Sequence, residues 1–236
     1  MPALKNVLLA LGLFSAAGLA QATPIVLDGD HFSIAYDDAQ VGVYRQGQLS
    51  GSLDTSYFLP TNFSVVTVSP FADTQAGLQF TLSIDPGYVF DGLAFTQNGN
   101  YFLSNAGQVG ASASLQARGL GTSVTTTLAL DSADALGAAG LTTGWALQGL
   151  LGAKGLDGAR TLQISLDNSL TSEPVQGLGF IQSTYVGFRV QTRAHAVPEP
   201  SGLALVLVGG LAAITTGRRL GRARRSTWAA GGNTHK

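Results

Sequence analysis

The chain has 236 residues, a formal net charge of −1 and no cysteine, which excludes disulfide frameworks, thiol nucleophiles and cysteine-ligated metals. Between Thr23 and Val197, six basic side chains stand against thirteen acidic ones, a balance of −7. An acidic stretch of this kind disfavours phosphate backbones and anionic lipid, so nucleic acid is excluded as a partner. Its length suffices for one domain that buries roughly 70% of its unfolded surface.

Taken in order, the chain begins with Lys5, an apolar stretch from Val7 to Leu19, and Ala20-Gln21-Ala22. A charged start, an apolar run of this length and an A-x-A site predict a secretory signal peptide over residues 1–22. Signal peptidase is then the first partner, and Thr23 becomes the mature N-terminus outside the cytoplasm.

Residues 23–194 read as β. Leu78, Phe80, Leu82 and Ile84 alternate with polar residues, as do Leu162, Ile164 and Leu166, and again Val186, Phe188 and Val190. Period-two patterning means strands buried on one face and wet on the other, hence antiparallel pairing. Further strands are expected at 31–36, 41–49, 63–69, 109–117, 123–130 and 143–150, the last inside a Gly/Ala/Leu-rich loop region from Asp131 to Gly158. Turn signals recur roughly every ten residues. The expected fold is an all-β antiparallel sandwich, jelly-roll-like or immunoglobulin-like.

Three local features are sharper. Asp85-Pro86-Gly87 predicts a turn with Pro at its second and Gly at its third position. Asp91-Gly92 interrupts the alternation and predicts a bulge. Asn98-Gly99 carries the two-residue hairpin signal, which would pair Phe95 with Phe102, Ala94 with Leu103 and Thr96 with Tyr101.

Chemistry-bearing residues are sparse. His31 is the one histidine well inside the domain, His195 lying in the linker, and no G-x-S-x-G turn accompanies it. Thirteen acids form too many pairs to single out a hydrolytic dyad, and many sit beside Gly or Pro as turn residues. Asp28 and Asp30, with Asp37 and Asp38, offer four carboxylates at the two ends of a short strand. They are the candidate ligands for Ca²⁺, which takes six to eight oxygens. The competing reading is two solvated acidic turns. Tyr36, Tyr44, Tyr57 and Trp145 present a second choice, between a sugar-stacking platform and ordinary packing.

The end of the chain has its own grammar. Residues 195–201 form a linker containing Val197, Pro198, Glu199 and Pro200. An uncharged apolar run follows over 202–217, and then Arg218, Arg219, Arg222, Arg224 and Arg225 open a basic tail, 218–236. Pro bars helix continuation upstream of the motif. The apolar run is roughly 24 Å long as a helix, and snorkelling arginines make up the shortfall against a ~30 Å hydrocarbon core. Arginines left inside place the N-terminus out and the tail in the cytoplasm.

The order Val197-Pro198-Glu199-Pro200, short apolar helix and arginine cluster resembles the PEP-CTERM sorting signal of Gram-negative bacteria. The chain differs from that class in the polar extension from Ser226 to Lys236. The resemblance implies a membrane partner, an exosortase-type processing enzyme that acts at or near the Pro-Glu-Pro. It also implies at least transient membrane attachment through the C-terminal helix, and release onto the cell surface or into an exopolysaccharide-rich biofilm matrix. An uncut single-pass anchor is the alternative. The expected function is thus an exported, non-enzymatic surface or matrix protein with a structural or interaction domain, extracellular polysaccharide being a candidate partner. A calcium-assisted carbohydrate-binding module or weak glycan hydrolase is the second expectation.

Overall fold

Strict alternation is what builds this domain: each long strand sends one row of side chains inward and the next outward. The computed structural model describes residues 24–195, apart from 69, 133–139 and 157. The expected signal peptide, the Pro-Glu-Pro motif, the apolar run and the arginine cluster all lie outside the described residues. Among the described residues, no helix is long and apolar enough to cross a membrane.

Twelve strands are described: β1 (Pro24–Asp28), β2 (Phe32–Asp37), β3 (Gln48–Leu49), β4 (Thr55–Phe58), β5 (Ser64–Thr67), β6 (Ala72–Ile84), β7 (Tyr88–Leu103), β8 (Gly107–Gly119), β9 (Thr125–Asp131), β10 (Thr143–Gly152), β11 (Thr161–Pro174) and β12 (Gly179–Ala194). They form two antiparallel sheets. The first runs β1-β2-β6-β11-β8-β9, and the second β10-β7-β12-β4-β3 with β5 also paired to β12. The fold is an all-β sandwich. It ends at Ala194, where a separate unit, His195–Lys236, begins.

The inner faces meet through complementary side chains. The first sheet contributes mostly aliphatic residues, including Leu78, Leu82, Leu115, Leu162, Ile164 and Leu166; the second contributes rings, including Phe58, Phe90, Phe95 and Phe188. Phe188 lies near the middle, its centroid 5.0 Å from that of Phe80 across the sandwich and 5.7 Å and 6.1 Å from those of Phe95 and Phe58. Burying each such ring contributes about 1.5–3 kcal/mol. Polar groups inside are few. The Tyr44 hydroxyl accepts from Asn168 Nδ2 at 2.7 Å and donates to the Ala76 carbonyl at 3.3 Å, pinning the segment before β3 to the first sheet.

Turn chemistry explains how the chain changes sheets. Asp85-Pro86-Gly87 carries it from β6 in the first sheet to β7 in the second, with Tyr88 N–H bonded to the Asp85 carbonyl and Gly87 at φ 90°. Only glycine adopts that φ without strain, as the turn type requires. The bulge expected near Asp91 is also present: Gln191 pairs with Gly92 and Thr192 with Phe90, leaving Asp91 unmatched.

The hairpin expected at Asn98-Gly99 does not form. β7 runs straight through it from Tyr88 to Leu103, so Phe95 pairs with Phe188, Ala94 with Arg189, Thr96 with Gly187 and Phe102 with Phe180. The glycine serves a close approach instead. A Cβ at Gly99 would fall on the Gln182 carbonyl and within 2.6 Å of the Trp145 ring, and β12 bulges at Thr184 opposite it. A glycine inside a strand marks a bulge or a close neighbour as readily as a turn. Residues 41–49 also depart from expectation. Two 3-10 turns, Asp38–Gln40 just before the expected strand and Gly42–Tyr44 within it, displace it, and only β3 remains. The Asp37 carboxylate caps the first by accepting from Ala39 N at 2.9 Å, the local alternative that Asp offers to a strand ladder. β1 and β4, short strands beside other pairs, were not anticipated by periodicity.

Candidate binding face

The four carboxylates singled out as calcium ligands are separated by the strand pairing. Asp28 pairs with Ser33 near the β1–β2 turn, whereas Asp37 pairs with Pro24 at the far end of the same hairpin. Four ladder steps at about 3.3 Å place the two pairs roughly 13 Å apart along the strands. Among the described residues, no three His, Asp or Glu side chains gather as a metal site. His31 occupies the turn itself at φ 69°, stacked on Tyr88 with centroids 3.6 Å apart and 3.4 Å from the Asp30 carboxylate.

The four aromatic residues divide. Tyr36, Tyr44 and Trp145 are buried in the core, which is the packing alternative. Burial raises the Tyr36 and Tyr44 hydroxyls above the ordinary tyrosine range, Tyr44 far above it. Tyr57 alone stays half-buried on an outward face. There it meets a residue that the sequence did not flag, Tyr185, with ring centroids 5.8 Å apart and planes only 19° from parallel.

Strand register explains why those two rings meet. Tyr57 on β4 pairs with Gly187 on β12, and Tyr185 leans over the same glycine, where a Cβ would strike its ring. Gly187 thus leaves the gap that the Tyr185 ring fills. The Tyr57 hydroxyl donates to Gln48 Oε1 at 2.8 Å, fixing the ring from the β3 side. Burial, and then the neighbouring Tyr57, raise the Tyr185 hydroxyl above its usual range. The β3–β4 turn is held in place by Asp54, whose carboxylate takes Ser52, Thr55 and Ser50 hydroxyls and the Arg189 guanidinium at 2.8 Å. The Ser52 hydroxyl first, then Thr55, Arg189 and Ser50, keep that carboxyl below the ordinary range.

From the tyrosines the outward face of the second sheet continues along β7 and β12. Tyr185 pairs with Asn98, Gln182 with Asn100, and Phe180 with both Phe102 and Val66. At that end Val66 and Val68 are 62% and 77% exposed, so the strip finishes on open apolar surface. No charged side chain interrupts these rows.

The outward face of the first sheet is different in kind. Across β6, β11, β8 and β9 its rows read Thr81, Gln163, Arg118 and Thr125; then Gln79, Ser165, Gln116 and Thr127; then Gly77, Asp167, Ser114 and Ala129. None of these is aromatic. Its depressions are open ones, among them about 290 Å³ beside Ala111, Asp131 and Thr171, about 260 Å³ beside Asp37, Gln79 and Gln163, and about 210 Å³ beside Gln40 and Asp167.

No protein-family profile matches the chain. No curated protein does either. Among solved structures, a carbohydrate-binding module of the β-sandwich superfamily is similar at 9% identity and a TM-score of 0.22, covering 74% of this chain and 87% of that one. A structure of infectious bursal disease virus, Gt strain, is similar at 11% identity and a TM-score of 0.22, covering 75% of this chain and 59% of that one. Neither likeness is close enough to bear on activity.

Proposed function

We propose that this is an exported surface or matrix protein, sorted by its C-terminal segment, whose β-sandwich is a non-enzymatic structural or interaction domain. The observation that carries this reading is the position of β12. It completes the second sheet and ends at Ala194, three residues before Val197. A Pro-Glu-Pro motif just beyond can be cut without removing a strand. The leader over 1–22 and the stop, span and anchor order of 197–225 supply the address. Open depressions of about 210 to 290 Å³ fit a protein that works through its faces, since they lie just under the roughly 300–1,000 Å³ of typical ligand pockets.

The test is an intact mass on protein purified from its own host, with fractionation of the cells. The expected species begins at Thr23, lacks Arg218 to Lys236, and is found outside the cytoplasm. A cytosolic species retaining both ends would overturn the proposal.

A further inference from the structure

We infer that the outward face of the second sheet binds a neutral polysaccharide chain lying along β7 and β12, with Tyr57 and Tyr185 as its stacking platform. This rests on the reading of the sandwich as an interaction domain and names its partner class and site.

Three observations converge on that ligand chemistry. First, two nearly parallel tyrosine rings stand half-buried on an outward face, and Gly187 provides the room one of them needs. An aromatic face presents electron density to polarised C–H bonds, and a pyranose ring carries such bonds on its flat sides. Second, between the tyrosines and the Phe102–Phe180 row, the outward side chains are the amides of Asn98, Asn100 and Gln182. Each amide has two donors and an acceptor, and the hydrogen bonds that Trp145, Ser183 and Thr184 make here go to the backbone carbonyls of Gln182 and Asn98 and not to the amides. Sugar hydroxyls, which both donate and accept, match that set. Third, the strip is uncharged although the domain as a whole is acidic. The charge nearest the platform, Arg189 beside the Tyr57 row, is already paired with Asp54 at 2.8 Å, so a charged polymer finds no unpaired counter-charge between the tyrosines and Phe102. The rings at the two ends are four ladder steps apart, roughly 13 Å, enough to engage more than one sugar of an extended chain.

The experiment is affinity electrophoresis of the full-length chain through gels containing dextran, xylan, galactomannan or mixed-linkage β-glucan, with alginate as the acidic comparison. At least one neutral polymer is expected to retard the protein, and alginate is not. Tyr185→Ala and Tyr57→Ala should each weaken retardation at least tenfold. Tyr185→Phe, which keeps the ring, should stay within about threefold of the parent. Gln163→Ala, on the opposite face, should change nothing. Thermal melting of each variant separates lost binding from lost folding, and Tyr185→Phe keeps the test decisive if an alanine variant fails to fold.

Retardation by no neutral polymer, preference for alginate, or equal retardation of parent and both alanine variants would overturn the inference. So would a stable dimer in sedimentation that Val66→Lys dissolves, since a second copy would then occupy the strip. Any of these leaves the export and sorting reading standing, because the intact mass tests that separately.

Discussion

The two outward faces of the sandwich are built on the same alternation and yet differ in nearly everything a partner would sense. The first sheet shows Thr, Ser, Gln and Asp in flat rows without a ring, with Arg118 and Asp167 among them. The second shows a tyrosine pair, amides and an apolar end, and carries no charge along that strip. Period-two patterning decides only which side chains leave the core. What they offer once outside depends on glycines that let rings lie down, and on which distant strands become neighbours. The ring pair and the row of amides therefore fall on one face.

The largest test removes what both faces rest on. Phe188→Ala should cost about 3–5 kcal/mol in chemical denaturation, since its ring meets one partner from the first sheet and two from its own. A cost below about 1 kcal/mol would mean that the sheets do not share a core.

Two glycines sharpen the contrast. Gly99→Ala, on the second sheet, should cost about 2 kcal/mol or more, because the new methyl meets the Gln182 backbone, which cannot step aside. Gly77→Ala, on the first, meets nothing closer than 3.6 Å and should fall within about 0.5 kcal/mol of the parent, with a slight gain expected from a stiffer unfolded chain. Equal effects in paired melting curves would remove the asymmetry.

Tyr44→Phe probes the tether to the first sheet. It leaves buried Asn168 without its partner and should cost about 1–3 kcal/mol. The pH dependence has a definite sign. Burial raises the Tyr44 hydroxyl above its unfolded value of 10.0, so the unfolded chain loses its proton first. Stability is then full below about pH 10 and falls as pH rises beyond it. Tyr36 and Tyr185 act in the same direction, so the variant should show a shallower alkaline decline and not a flat one.

A smaller loss than at Tyr44 concerns the turn beside Tyr57. Asp54→Asn should cost about 1 kcal/mol, because much of the site is open to solvent and its ion pair with Arg189 is screened. Here the folded carboxyl lies below its unfolded value, so its contribution is present above about pH 4 and disappears as pH falls further. Acid titrations of parent and variant should converge at the bottom of that range.

Local signals in the sequence told the truth where the cause was local. The alternation at Leu78 to Ile84 and Leu162 to Leu166, the turn at Asp85-Pro86-Gly87 and the bulge at Asp91 all survive, because neighbouring residues suffice to produce them. Asn98-Gly99 misled because its glycine answers to Trp145 and Gln182, dozens of residues away. The candidate site was half legible for the same reason. Tyr57 was noticed, but its companion is 128 positions further on, and only the pairing of β4 with β12 joins them. The cue available was Gly187, a glycine interrupting a strand otherwise rich in large residues, which announces that something leans over it.

The placement of β12 has a consequence for biosynthesis. It is the last of the described strands and also sits inside the second sheet, holding β7 on one flank and β4 and β5 on the other. While the ribosome is still working on residues before Gly179, those neighbours have nothing to close upon, and the rings destined to surround Phe188 remain uncovered. Cooperative folding of the sandwich must wait until Gly179 to Ala194 has been made. Until that last pairing is made, the same apolar rings stay open to solvent and to other chains, so the delay is also an exposure to aggregation.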